Sequence, residues 1–136
     1  MSMTEEFFAG RYRDHQQVYE LPSPQLIGEW LEGVLQFLFP QYSPVRFGSE
    51  RAFRLHYQTY DLKLFTILDT LASELPASAA DIRADFERAL PQIYDMLIDD
   101  ARAILDGDPA ARSLTEVMST YPGFYTLAIH RIAHRL

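Results

Sequence analysis

Residues 78–105 read SAADIRADFERALPQIYDMLIDDARAIL, and this stretch decides the fold class. Ile82, Phe86, Ala89, Leu90, Ile93, Leu97, Ala101, Ile104 and Leu105 recur at the three- and four-residue spacing that gathers side chains on one face of a helix. Ser78, with Asp81 three residues on, forms an acidic capping box at the start. Pro91 falls inside the pattern, and its ring clashes with the carbonyl four residues back. The spacing therefore predicts a break near Leu90.

The same period extends in both directions. Upstream, Ser49 caps a helix reaching about Leu75, with Phe53, Tyr57, Tyr60, Leu64, Ile67, Leu68 and Leu71 on its apolar face and Pro76 ending it. Before it, Ser23-Pro24 is an N-cap and first-turn pair for a helix over Pro24–Phe39, carrying Ile27, Trp30, Leu31, Val34, Leu35 and Leu38. Pro40 stops that helix, and Pro40–Gly48 reads as a loop. Downstream, Asp106-Gly107-Asp108-Pro109 reads as a turn with a new helix start at Pro109. Ser113 and Glu116 form the most regular capping box of the chain, opening a short helix to about Thr120. Tyr121-Pro122-Gly123 punctuates, and a last helix from about residue 122 runs to Leu136 without a stop signal.

No alternating strand, internal repeat, low-complexity run or linker interrupts the pattern. Residues 1–136 therefore read as one all-α domain, a multi-helix bundle of about six to eight helices. With 48% hydrophobic and 13% aromatic residues, wholesale disorder is excluded. The absence of Cys excludes disulfides, a thiolate metal site and a Cys nucleophile. Lys+Arg 12 against Asp+Glu 19, a net charge of -7, argues against nucleic acid as a partner. The only Lys is Lys63, in an aromatic setting. The acidic start, Met1 to Glu6, is unlike a secretory signal. The apolar run Leu26–Phe39 is interrupted by Glu29, Glu32 and Gln36, so nothing here is expected to span a membrane, and the default address is the cytoplasm.

Candidate chemistry is sparse. His130 and His134 are four apart on one helix face, a spacing that can hold zinc. Arg131 stands where the metalloprotease pattern requires Glu, Arg131 and Arg135 repel a cation, and no third ligand is identifiable, so no metal site is assigned. His15 reads as a surface residue and His56 as a helix-packing one. Asp99 and Asp100 read as solvated helix surface. Asp108, before Pro109, reads as the N-cap of the next element, with capping weighed above a ligand role. Ser113 has no adjacent base, and no nucleophile elbow or phosphate loop occurs.

Asp108-Pro109-Ala110-Ala111-Arg112-Ser113, then Glu116-Val117, Tyr121-Pro122-Gly123-Phe124 and His130-Arg131-Ile132-Ala133-His134 come in an order that resembles the end of the amino-terminal helical domain of serine O-acetyltransferases. In that family the helical domain precedes a left-handed β-helix of hexapeptide repeats, which carries a catalytic His–Asp pair and the acetyl-CoA site. The resemblance implies a parent enzyme that acetylates L-serine from acetyl-CoA on the way to cysteine. It implies homo-oligomers, dimers or dimers of trimers, joined through the helical domain, and a serine contact from the Asp of the DPA motif, Asp108 here. No hexapeptide repeat or catalytic-His motif occurs in the chain, so catalytic, cofactor-binding and metal-binding residues are expected to be absent. The resemblance also implies that the sequence is the amino-terminal part of such an enzyme, inactive alone. The alternative is a free-standing helical oligomerisation or regulatory protein.

Overall fold

The computed structural model describes residues 3–16 and 22–136, and every regular element among them is helical. In chain order these are α1 (Glu5–Gln16), α2 (Pro24–Leu38), a 3₁₀ turn at Pro40–Tyr42, α3 (Glu50–Thr70), a 3₁₀ turn at Ala72–Glu74, α4 (Ala79–Gly107), α5 (Leu114–Thr120) and α6 (Pro122–Arg135). The all-α expectation is met.

Four of these helices start on a serine. Ser23, Ser49, Ser78 and Ser113 are all in extended backbone, and their hydroxyls accept from the amides of Leu26 (3.0 Å), Ala52 (3.1 Å), Asp81 (3.1 Å) and Glu116 (3.1 Å). Each such cap stabilises its helix by about 1 kcal/mol.

The expected break near Leu90 does not occur: α4 runs unbroken through Pro91. Phe86, Ala89 and Leu90 before the proline and Ile93, Leu97 and Ala101 after it are buried in the same core. Pro91 and Glu87, whose carbonyl loses its donor, are on the exposed side, where water can reach it. The local penalty of about 3 kcal/mol is outweighed by six buried side chains, those of the large residues contributing roughly 1.5–3 kcal/mol each.

Three boundaries also differ from the sequence reading. α3 ends at Thr70 rather than near Leu75, tightening into 3₁₀ geometry as the Leu71 amide turns to Leu68 O at 3.1 Å and the Glu74 amide to Leu71 O at 2.9 Å. Leu75, ahead of Pro76, is extended (φ -79°, ψ 143°), as the residue before a proline prefers. The loop after α2 begins with a 3₁₀ turn. No helix starts at Pro109, and α5 begins only at Leu114.

α4 is the spine. α3, α5 and α6 pack on it, and α2 packs on α3. The core joins Trp30 to Phe86 (centroids 5.2 Å apart) and Phe39 to Phe124 edge-on (5.7 Å, 76°). α1 adds no buried residue to it. No helix of the described residues is long and apolar enough to cross a membrane.

Tyr57, half-buried on α3, carries a test of this packing. Burial, reinforced by the Glu87 and Asp61 carboxylates against the opposing Arg83, pushes its phenol from 10.0 up to about 12. The folded state therefore holds the proton after the unfolded chain has released it. Its stabilising effect is complete below pH 10 and is lost as pH rises from 10 to about 12. Urea unfolding across that window should show a falling stability whose slope is shallower in Tyr57→Phe. Equal slopes would contradict the buried phenol.

Candidate functional site

The chemistry-bearing residue singled out by the sequence, Asp108, sits where α4 ends. Its amide bonds to Ile104 O at 3.1 Å, making it the C-cap of α4 and correcting the N-cap reading. The reason is local: the chain turns through Pro109 and Ala110 instead of starting a helix. The turn is closed twice, by the Ala111 amide on Asp108 O at 3.1 Å and by the Ala110 amide on the Asp108 carboxylate at 2.9 Å. Such an Asx turn is the usual work of Asp outside helices.

A second group converges on this carboxylate. Tyr121, the residue before α6, has its phenol raised above 10.0, first by its side-chain interaction with Asp108, then by desolvation and by the charges of Asp108 and Glu116. The Tyr121 hydroxyl therefore remains a donor. A carboxylate has about four acceptor sites, so the one amide bond leaves capacity for an incoming cationic donor. Capping and ligand contact are compatible in this geometry.

The neighbouring frame is firmly placed. α5 is tied to the turn after α2 by the Tyr42 hydroxyl on Met118 O and by Gln41 Nε2 on Thr115 Oγ1 at 3.4 Å. Ser113 is a helix cap. Asp108 is only half-buried and does not line the groove between α2, α3 and α6.

That groove, about 580 Å³ between α2, α3 and α6, was not visible from local sequence. Lys63 Nζ reaches Glu29 Oε2 at 3.3 Å there, and the Tyr125 hydroxyl donates to Glu32 Oε1 at 2.8 Å. The pairing partners are 34 and 93 residues apart, beyond any periodicity argument.

The histidines separate. His15 is exposed on α1. His56 is a packing residue, its Nε2 at 2.9 Å from the Tyr60 hydroxyl, which donates on to Gln36 Oε1 at 2.9 Å. His130 and His134 lie side by side on α6, ring centroids 5.7 Å apart. Asp99 is solvated as expected, but Asp100 is not: it is half-buried and held in a two-point pair with Arg131, one arm being Nη2 to Oδ1 at 2.8 Å. Among the described residues no group of three or more His, Cys, Asp or Glu comes together as a metal site.

No family model matches the chain. Among curated proteins, the plasmid serine acetyltransferase of Synechococcus elongatus is 33% identical over 142 aligned residues, covering 88% of this chain and 43% of that protein. The serine acetyltransferase of a Synechocystis species is 55% identical over 44 residues, 32% of this chain and 18% of its own length. That of Bacillus subtilis is 49% identical over 43 residues, 32% of this chain and 20% of its own. The chain spans less than half the length of each of these relatives. It is thus related in sequence to the serine acetyltransferases, and every regular element among its described residues is helical.

Proposed function

We propose that this chain is the helical amino-terminal part of a serine O-acetyltransferase, an enzyme that moves the acetyl group of acetyl-CoA to the hydroxyl of L-serine and so supplies cysteine synthesis in the cytoplasm. The relationship to the Synechococcus protein over 88% of the chain carries this reading. In it, Asp108 contributes one wall of the serine site. Its carboxylate takes the substrate ammonium in a charge-assisted hydrogen bond, held in place by the Ala110 amide. A single half-buried carboxylate is one part of a site, so the acetyl-transfer machinery belongs to a different part of the parent protein.

The second role is assembly into homo-oligomers, a dimer or a dimer of trimers. Support comes from apolar side chains left exposed: Leu55 and Leu62 on α3, and Phe7, Phe8 and Tyr12 on α1.

An activity assay separates the parts. The chain alone, given L-serine and acetyl-CoA, should release no CoA above background. Placed in the Synechococcus plasmid enzyme in place of the segment it matches, it should support serine-dependent CoA release. Robust turnover by the chain alone, or a folded chimera without turnover, would overturn the assignment.

A further inference from the structure

A second groove, unused by the serine site, lies between the end of α2, the start of α3 and the middle of α4, with a volume of about 430 Å³. One wall is aromatic: Phe53 and Tyr57 of α3 pack on Phe37 of α2 at centroid distances of 5.4 Å and 4.4 Å. From α4 come the ring of Tyr94, 39% exposed, and the carboxylates of Glu87 and Asp95. We infer that this groove docks an arginine-bearing segment of a partner protein, with guanidinium groups seated against the rings and paired with Glu87 and Asp95.

Charge is left uncompensated here beside exposed rings. Among the described residues, Glu87 and Asp95 are the only charged groups lining the groove. Both are exposed and neither is in an ion pair, while Arg54, Arg83 and Arg88 on the same two helices are taken by Glu50, Asp61 and Asp85. The Glu87 charge reaches the aromatic wall, where it helps to raise the Tyr57 phenol. A third acceptor is the Glu87 carbonyl, whose helical donor is missing at Pro91. Arginine suits this set: it has five donors in a planar, weakly hydrated fork that stacks on aromatic rings, whereas lysine offers a compact, strongly hydrated point charge. Glu87, Pro91 and Asp95 follow one another at four-residue spacing on one face of α4, which sets the two acidic positions about 12 Å apart along the axis. One guanidinium cannot span that distance. Two arginines four residues apart in an extended segment do, at about 3.3 Å per residue, so the occupant is a polypeptide and not a small cation. Phosphate-bearing partners are repelled by the same carboxylates.

Fluorescence anisotropy tests this with a labelled pentapeptide, arginine at both ends and leucine between two glycines, added to the chain at about 50 mM salt. It should bind with a Kd of about 50 µM. Lysine ends should weaken binding several-fold, and citrulline ends, which keep the shape and lose the charge, at least about tenfold. Glu87→Gln and Asp95→Asn should each weaken it about fivefold or more, and Tyr94→Leu about threefold. All three residues are exposed, so the variants keep the helical fold, which circular dichroism verifies. Asp99→Asn is the control: it removes the same charge from an exposed position of α4 outside the groove and should leave binding within about twofold. Equal losses in Asp99→Asn and the groove variants, equal binding of the citrulline peptide, or no saturable binding below about 1 mM would overturn the site. So would homo-oligomers of the chain that dissociate in Glu87→Gln while the peptide still binds, because a second copy would then be the occupant.

Discussion

Phe124→Ala is expected to destabilise the chain by about 3–5 kcal/mol, a large share of the 5–15 kcal/mol typical of a small domain. Phe124 is fully buried where α6 begins, and it closes edge-on against Phe39 at the end of α2, a contact between elements 85 residues apart in sequence. Truncation removes a large apolar surface and one aromatic pair, and leaves a cavity between the end of α2 and α6, which are anchored on α3 and α4. Little collapse can refill it. Urea unfolding should show a lower midpoint at unchanged slope, and the melting temperature should fall by roughly 10–20 °C. A loss below about 1 kcal/mol would mean that the site repacks and that the α2–α6 junction is not the centre of the core.

The second large effect is one substitution with opposite signs at two places on one helix. α2 contains Gly28 and Gly33, and alanine is favoured over glycine in a helix interior by about 1 kcal/mol. At Gly28 an added Cβ meets nothing within 4 Å, so Gly28→Ala should stabilise by about 0.5–1 kcal/mol. At Gly33, which is buried, the added Cβ would fall inside the van der Waals shell of three Tyr60 ring carbons. That ring is not free to move away, because its hydroxyl is held at 2.9 Å by both Gln36 and His56. Gly33→Ala should therefore destabilise by about 1–3 kcal/mol in spite of its better propensity. Chemical unfolding of the two variants side by side is the measurement. Stabilisation by both would show that the close approach of α2 and α3 at Tyr60 is absent.

The contrast also shows what was readable from sequence. The serine caps were legible because capping is a local bargain between one hydroxyl and an amide three residues on. The apolar faces were legible because burial imposes the helical period. Pro91 was misread for the same reason in reverse: the ring clash is local, but the side chains that overrule it sit on both sides of the break and are held by α3, α5 and α6. α1 has a legible start, since Thr4 Oγ1 accepts from the Phe7 amide at 3.3 Å and Glu5 and Glu6 stand in the first turn, but its apolar side chains are exposed and form no core pattern. Asp108 was identified by motif order, yet its role in the turn was assigned to the wrong helix, since nothing local says whether Pro109 starts a helix or only bends the chain. The Asp100–Arg131 and Glu32–Tyr125 pairs depend on helix packing and leave no trace in spacing.

Serine dependence of the initial rate, measured in the chimera with the Synechococcus enzyme, tests most directly whether the Asp108 turn holds the amino acid. Asp108→Asn is the informative variant, because the amide oxygen still accepts from Ala110 and keeps the turn while the charge is lost. Loss of one charge-assisted hydrogen bond of about 1.5–3 kcal/mol should raise the KM for serine roughly ten- to a hundredfold. The KM for acetyl-CoA and the melting temperature should stay as they were. An unchanged KM for serine would remove Asp108 from the site and leave the turn with a structural role alone.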